Sequence, residues 1–272
     1  MTAPLWGYLA IVKQTFRTLF KVLPYALIGS VLVGCAGANV AVQTTRLPVP
    51  VVETLPVSVA IHLSDEVRSF SHEEAIRDYG TFRISVGAAQ DLMFNNLAEG
   101  LFANHRFVSN IERASDPSSI DQKWAALNPS NLSASSLGSS ALAAPEINAI
   151  LVPTIGELQF SIPAQTKSDF YEVWLRYSFK LLSPDGSQIA EWPMQAYGRA
   201  NRRNYGILED TEQGALQEAS RVALRDAMAV FTFKFQRVPE IKAWLEQFKT
   251  PTSNSDSINR DSGPNGQSGG YE

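Results

Sequence analysis

The chain has 272 residues, 44% of them hydrophobic, with 23 basic and 27 acidic side chains and a formal net charge of -4. That balance argues against nucleic acid and against electrostatic docking on anionic lipid, both of which call for a cationic surface. Cys35 is the only cysteine, so no intramolecular disulfide and no thiolate metal cluster can form, and stability must come from core burial.

Residues 1–34 contain no acid and place Lys13, Arg17 and Lys21 ahead of an apolar run over residues 22–33. A basic stretch, a short apolar stretch and small residues at the boundary describe an export signal. The run is about a dozen residues, whereas a spanning helix needs ~20. It ends in Leu32-Val33-Gly34-Cys35, which resembles the lipobox of bacterial lipoproteins. The resemblance implies cleavage between Gly34 and Cys35, diacylglycerol on the Cys35 sulfur and a fatty acyl chain such as palmitate on the new amine. Thiolate chemistry explains why a cysteine is needed there. Ala36 follows the cysteine where aspartate would imply retention in the inner membrane, so the resemblance places the chain at the outer membrane, facing the periplasm. Without the three signal cations, twenty basic residues face 27 acidic ones, a net charge of -7. Membrane contact is therefore expected through the lipid alone.

Residues 35–56 carry Pro48, Pro50 and Pro56 with few charges and read as an extended, lipidated tether. Residues 57–63 alternate bulky apolar with small or polar side chains, the period-2 pattern of a half-buried strand. Charges break the pattern over residues 64–74, and residues 82–86 form a second alternating strand. From residue 88 to 102, Ala89, Leu92, Met93, Leu97, Leu101 and Phe102 mostly recur at three and four residues, which predicts an amphipathic helix. Residues 107–111 follow as a strand.

Residues 114–144 turn to serine, alanine and asparagine around a lone Trp124 and read as a flexible insertion, too poor in apolar surface to offset ordering. The sheet resumes with two short strands around residues 149–152 and 158–162. Residues 170–182 are the clearest strand, with Tyr171, Val173, Leu175, Tyr177, Phe179 and Leu181 on one side. Ser183-Pro184-Asp185-Gly186-Ser187 predicts a turn, because proline presets one φ and glycine accepts a positive one. The chain then returns over residues 188–199, with Pro193 at an edge or bulge. Asp210 starts a helix whose buried face carries Leu216, Ala219, Ala223, Ala227, Val230 and Phe231, followed by a short terminal helix over residues 241–248. Residues 250–272 are Gly/Ser/Asn-rich and aperiodic, a disordered tail.

This order predicts an α+β fold: one open mixed β-sheet with two main helices packed on one face. The expected organisation is a signal over 1–34, a tether over 35–56, a single domain over 57–249 interrupted by the insertion, and the tail. The pattern over residues 147–235, a buried strand, a hairpin and an alanine-rich helix, resembles the ABC-transport auxiliary lipoproteins and lipopolysaccharide-assembly lipoproteins.

For chemistry there is little to build on. His62, His72 and His105 stand in no metal-ligand spacing: His62 is expected to point outward from its strand, the other two to lie in or beside loops. Nucleophile-elbow and phosphate-loop patterns are missing from the sequence, and no cofactor is implied. Asp65, Glu66, Glu73 and Glu74 form an acidic cluster that reads as a solvated loop. Arg199, Arg202 and Arg203, interleaved with Tyr197 and Tyr205, form the one basic-aromatic patch and are the candidate partner contact. The expectation is a non-enzymatic, lipid-anchored binding protein, accessory to an envelope assembly or transport machine, that touches an envelope protein and no nucleic acid. The alternatives are an envelope hydrolase using those carboxylates, and a lipid- or small-molecule-binding lipoprotein.

Overall fold

The computed structural model describes residues 37–43, 47–114, 116, 120–121, 146–205 and 211–249. The lipobox with Gly34 and Cys35, all of the 114–144 insertion except Ala114, Asp116, Ile120 and Asp121, and the tail lie outside those residues.

Strand β7 (Phe170–Leu182) folds back on β8 (Gln188–Asn201), and the pair is the backbone of the molecule. Alternation in β7 sends Tyr171, Val173, Leu175, Tyr177, Phe179 and Leu181 to one buried face, as the period-2 pattern predicts. At the turn, Gly186 takes φ 89°, and Asp185 Oδ1 accepts from the Ser187 N–H at 2.9 Å and from the Ser183 hydroxyl. The Ser183 bond, then those to Ser187, hold the Asp185 carboxyl down at about 2.

On its other side β7 pairs with β6 (Ala149–Ser161), one thirteen-residue strand where two short ones were expected. Pro153 and Gly156 interrupt the sequence pattern but not the strand. Pro153 lies beyond Leu151, which pairs with Ile61 as the last β6 residue bonded on that side, and the register shifts between Ile155 and Glu157, absorbing Gly156. Strands β2 (Leu55–Ile61) and β5 (Phe102–Phe107) complete a five-stranded sheet of order β5-β2-β6-β7-β8, parallel on the β5 side and antiparallel on the β8 side.

The connection from β2 to β5 does not stay in that sheet, which corrects the expectation of a single one. Residues 64–74, expected as a loop, form helix α1 (Asp65–Arg68) and most of strand β3 (Ser71–Ile76). Ser64 caps α1, its hydroxyl accepting from the Val67 N–H at 3.3 Å. Strand β3 pairs with β4 (Gly80–Ser85), and β4 pairs in parallel with β1 (Asn39–Ala41), giving a second sheet of order β1-β4-β3. So part of the expected tether is built into the body: Val40, Val42 and Leu47 are buried in the core, because a strand with an apolar partner face gains more from pairing than from solvation. Val49, Val51 and Val52 remain exposed.

Helix α2 (Gly87–Leu101) packs Ala89, Met93, Phe94, Leu97 and Leu101 inward, but Leu92 lies at 36% exposure, off the stripe. Two buried amides donate to neighbouring backbone, Gln90 to the Val67 carbonyl at 2.8 Å and Asn96 to the Leu47 carbonyl at 2.6 Å. At the end of α2 the chain turns straight into β5 at Phe102, five residues before the expected strand start, with φ -112° and ψ 141°. His105 therefore sits inside a strand, as His72 does in β3. A short helix α3 (Pro163–Thr166) links β6 to β7.

Helix α4 (Thr211–Phe235) lies over β8 and β7 and also meets β1 and α2, so both main helices cover the same face of the larger sheet. Phe231 packs edge-on to Phe179 at 4.8 Å, and Phe235 lies 5.5 Å from Phe102, which joins both ends of the fold in one aromatic core. Helix α5 (Pro239–Leu245) closes it with Ile241 and Trp244. On the opposite face a smaller cluster of Ala60, Val108, Ala114, Ile147 and Ile150 lies where the insertion leaves and rejoins the sheet. Among the described residues no helix is long and apolar enough to cross a membrane.

Candidate ligand cleft

At the end of the large sheet where β6 passes to β7 and β8 stops, four stretches of chain converge around a cleft of about 860 Å³. The β3–β4 turn contributes Tyr79, the β6–β7 connection Lys167, Ser168 and Asp169, the first turn of β7 Tyr171, and the end of β8 with the start of α4 Arg202, Arg203, Tyr205 and Glu212.

Local backbone chemistry puts each of these where it is. Lys167 takes a left-handed conformation, φ 55°, which stops α3 after one turn and turns the chain into β7. The Arg202 N–H donates to the Asp169 carbonyl at 2.8 Å, carrying the β7–β8 ladder one step past Asn201. There the Asn201 side chain accepts from the Arg203 N–H at 2.9 Å and winds residues 202–204 into a single 3-10 turn. Arg203 is tied to Asp169 by an ion pair of 2.7 Å. The Tyr205 ring lies against Gly214 in the first turn of α4. Burial, then the Glu218 carboxylate, raises the Tyr205 phenol pKa, opposed by Arg221.

Tyr171 is the deepest of these side chains, 3% exposed, yet it borders the cleft. Burial and then the Glu212 carboxylate push its pKa to about 12, with Arg202 pulling the other way, so all three share one electrostatic environment.

The basic-aromatic patch expected from sequence is thus divided. Arg202, Arg203 and Tyr205 line the cleft, while Arg199 leaves it: its guanidinium sits 4.7 Å over the Phe170 ring on the outer face of the sheet. Tyr197 keeps it company there, its hydroxyl donating to Glu172 at 2.5 Å and its ring lying tilted beside Trp174 at 5.4 Å. Strand alternation is the reason, since Arg199 and Tyr197 point away from α4, whereas the chain past Asn201 has left the strand.

The acidic cluster does not gather either. Asp65 and Glu66 occupy the first turn of α1, Glu73 pairs with Arg83, and Glu74 lies 3.6 Å from His72. Among the described residues no group of three or more His, Cys, Asp or Glu side chains is placed to hold a metal. His62 Nδ1 lies 3.2 Å from the Val108 carbonyl, and burial lowers the His105 pKa.

A second, more apolar groove of about 720 Å³ runs between residues 48–52 and the outer side of α4, where Phe233 is 59% exposed beneath the Arg237 guanidinium. Sequence reading missed Tyr79, Lys167, Tyr171 and Glu212 as site residues. Tyr171 was legible only as a core position, although a hydroxyl at the end of an apolar stripe beside a Lys-Ser-Asp turn is a usable sign.

No family model and no curated protein matches this chain. Solved structures do. A Caulobacter crescentus protein classed provisionally as a lipoprotein is 12% identical over 43% of this chain and 76% of its own, with a TM-score of 0.28. A Helicobacter pylori protein classed provisionally as a neuraminyllactose-binding hemagglutinin homolog is 10% identical over 74% of this chain and 99% of its own, at 0.36. A Neisseria meningitidis lipoprotein is 12% identical over 56% of this chain and 88% of its own, at 0.22. At TM-scores below 0.5 these likenesses carry no functional argument.

Proposed function

We propose that the chain is an envelope lipoprotein that acts by binding rather than by catalysis. Lipid on Cys35 would hold it at the outer membrane, facing the periplasm, and the cleft would be its working surface. The observation that carries this reading is the convergence of Arg202, Arg203 and Tyr205 with Lys167 and Tyr171 in one concave site. A cleft of several hundred Å³ with convergent polar groups is the usual form of a small-ligand site. It favours a ligand-binding lipoprotein over a bare scaffold for an envelope machine, while an envelope protein partner remains part of the proposal. Lipidation would raise the local concentration of the domain at a membrane surface, where weak contacts suffice.

The test has two parts. Mass spectrometry of the native product is expected to find an acylated Cys35 at its amino terminus, and Cys35→Ala is expected to move the protein out of the membrane fraction. Retention of residues 1–34 without any fatty acid refutes the anchor. Turnover of a cell-wall or lipid substrate by the purified protein refutes the binding role.

A further inference from the structure

Building on the binding role above, we infer that the cleft between α3, the 3-10 turn after β8 and the start of α4 takes an acidic sugar, a hydroxylated ring bearing a carboxylate or phosphate.

The anion is called for by the charges that the fold leaves unspent. Of the three cations at the cleft, Arg203 is neutralised by Asp169 at 2.7 Å. Among the described residues Lys167 and Arg202 have no ion-pair partner, and Glu212 is the one lining carboxylate left to oppose them. A cationic excess in the concave part of a chain whose formal charge is -4 is a local field aimed at a negative ligand. Arginine is suited to this because its planar fork meets a carboxylate or phosphate with two parallel hydrogen bonds.

The ring and its hydroxyls are called for by the rest of the lining. Tyr171 is 97% buried by its neighbours and borders the cleft. A phenol at a cleft wall can exchange a hydrogen bond to solvent for one to a ligand hydroxyl. Glu212 accepts hydrogen bonds and so suits a neutral hydroxyl beside the anion better than a second negative group. Tyr79 and Tyr205 both line the cleft and bring aromatic rings that can pack on the apolar face of a sugar. A cleft of about 860 Å³ admits one or two such rings.

The experiment is calorimetric or NMR titration of the full chain in detergent with glucuronic acid and with glucose 6-phosphate, alongside glucose and inorganic phosphate. At least one acidic sugar is expected to bind, and glucose to bind at least ~10-fold more weakly. Arg202→Gln, on an exposed side chain, is expected to weaken the acidic sugar ~10-fold, and Tyr171→Phe to weaken it a few-fold, both with unchanged circular dichroism. Lys167→Gln is the second charge variant and should act in the same direction. Equal affinity for glucose overturns the anion, and equal affinity for inorganic phosphate overturns the ring. An unchanged affinity in Arg202→Gln and Lys167→Gln overturns the site, as does failure of both acidic sugars to bind. If both fail while a crosslinker at Arg203 still captures one defined envelope protein in cells, the sugar assignment falls and the binding role stands.

Discussion

Gly198 in β8 lies directly under the backbone of Ala219 in α4: a Cβ at Gly198 would stand 2.1 Å from the Ala219 carbonyl oxygen and 2.3 Å from the Ala223 nitrogen. The contact is backbone on backbone, so no side chain can swing aside. Gly198→Ala should therefore lift the helix off the sheet, at a cost of about 3 kcal/mol, read as a lower urea midpoint with an unchanged slope. A variant as stable as the parent would show that α4 does not seat where described.

Close seating of α4 also protects the sheet edge. Strand β8 is the last strand, and Asp226 on α4 accepts a hydrogen bond from its Tyr197 N–H at 2.9 Å. Pro193 is four residues earlier in unbroken register, so its nitrogen faces outward on the same side and costs the ladder nothing. Asp226→Ala leaves the edge donor without its partner and is expected to cost about 1 to 2 kcal/mol. Hydrogen exchange at the Tyr197 amide should accelerate; an amide protected as before would speak against the contact.

Tyr177 is fully buried between Phe94 and Phe179, and its hydroxyl has no hydrogen-bond partner among the described residues. Burial alone pushes its pKa upward. Tyr177→Phe removes the stranded group without changing the ring, so stability should rise by about 1 kcal/mol. A loss of stability on thermal melting would mean that the hydroxyl is satisfied.

The Asp185 carboxyl, at about 2, lies below its ordinary 3.8 because Ser183 and Ser187 donate to its ionised form. A depressed carboxylate pKa contributes stability above pH ~4 and loses it as pH falls toward the folded value. The side chain is fully exposed, so the effect is expected to be small, and Asp185→Asn should differ from the parent near neutrality but converge with it in acid. NMR titration of the Asp185 carboxyl is the direct check, and a midpoint at its ordinary value would contradict the turn geometry.

Tyr171 titrates in the opposite sense. With a folded pKa near 12 against 10 for an ordinary phenol, its contribution is complete below pH ~10 and is lost as pH rises through the folded value. Alkaline difference spectra should lose one late phenol in Tyr171→Phe, while that of buried Tyr177 remains. Bound acidic sugar, by adding negative charge beside the phenol, should move that step later still.

How much of this was legible beforehand depends on the range of the interaction. Strand β7, its hairpin, helix α2 and helix α4 were readable because side chains two, three or four residues apart share a face, and Pro184 and Gly186 mark a turn by their own backbone limits. The edge position of Pro193 followed from its missing N–H. Phe102 was read as helix and opens β5, since the switch from one period to the other depends on which neighbour strand is waiting.

What the amino-acid order determined by itself is the local layer: the apolar stripes, the turn at Ser183–Ser187 and the expectation of an anchor at Cys35. Only the tertiary structure decided that Asn39–Ala41 joins β4, that Arg199 parts from Arg202, and that Tyr171 meets Lys167 and Glu212 at one opening. Strand pairing and cleft formation join residues tens of positions apart, and nothing in the spacing along the chain encodes which distant partners the packing will bring together.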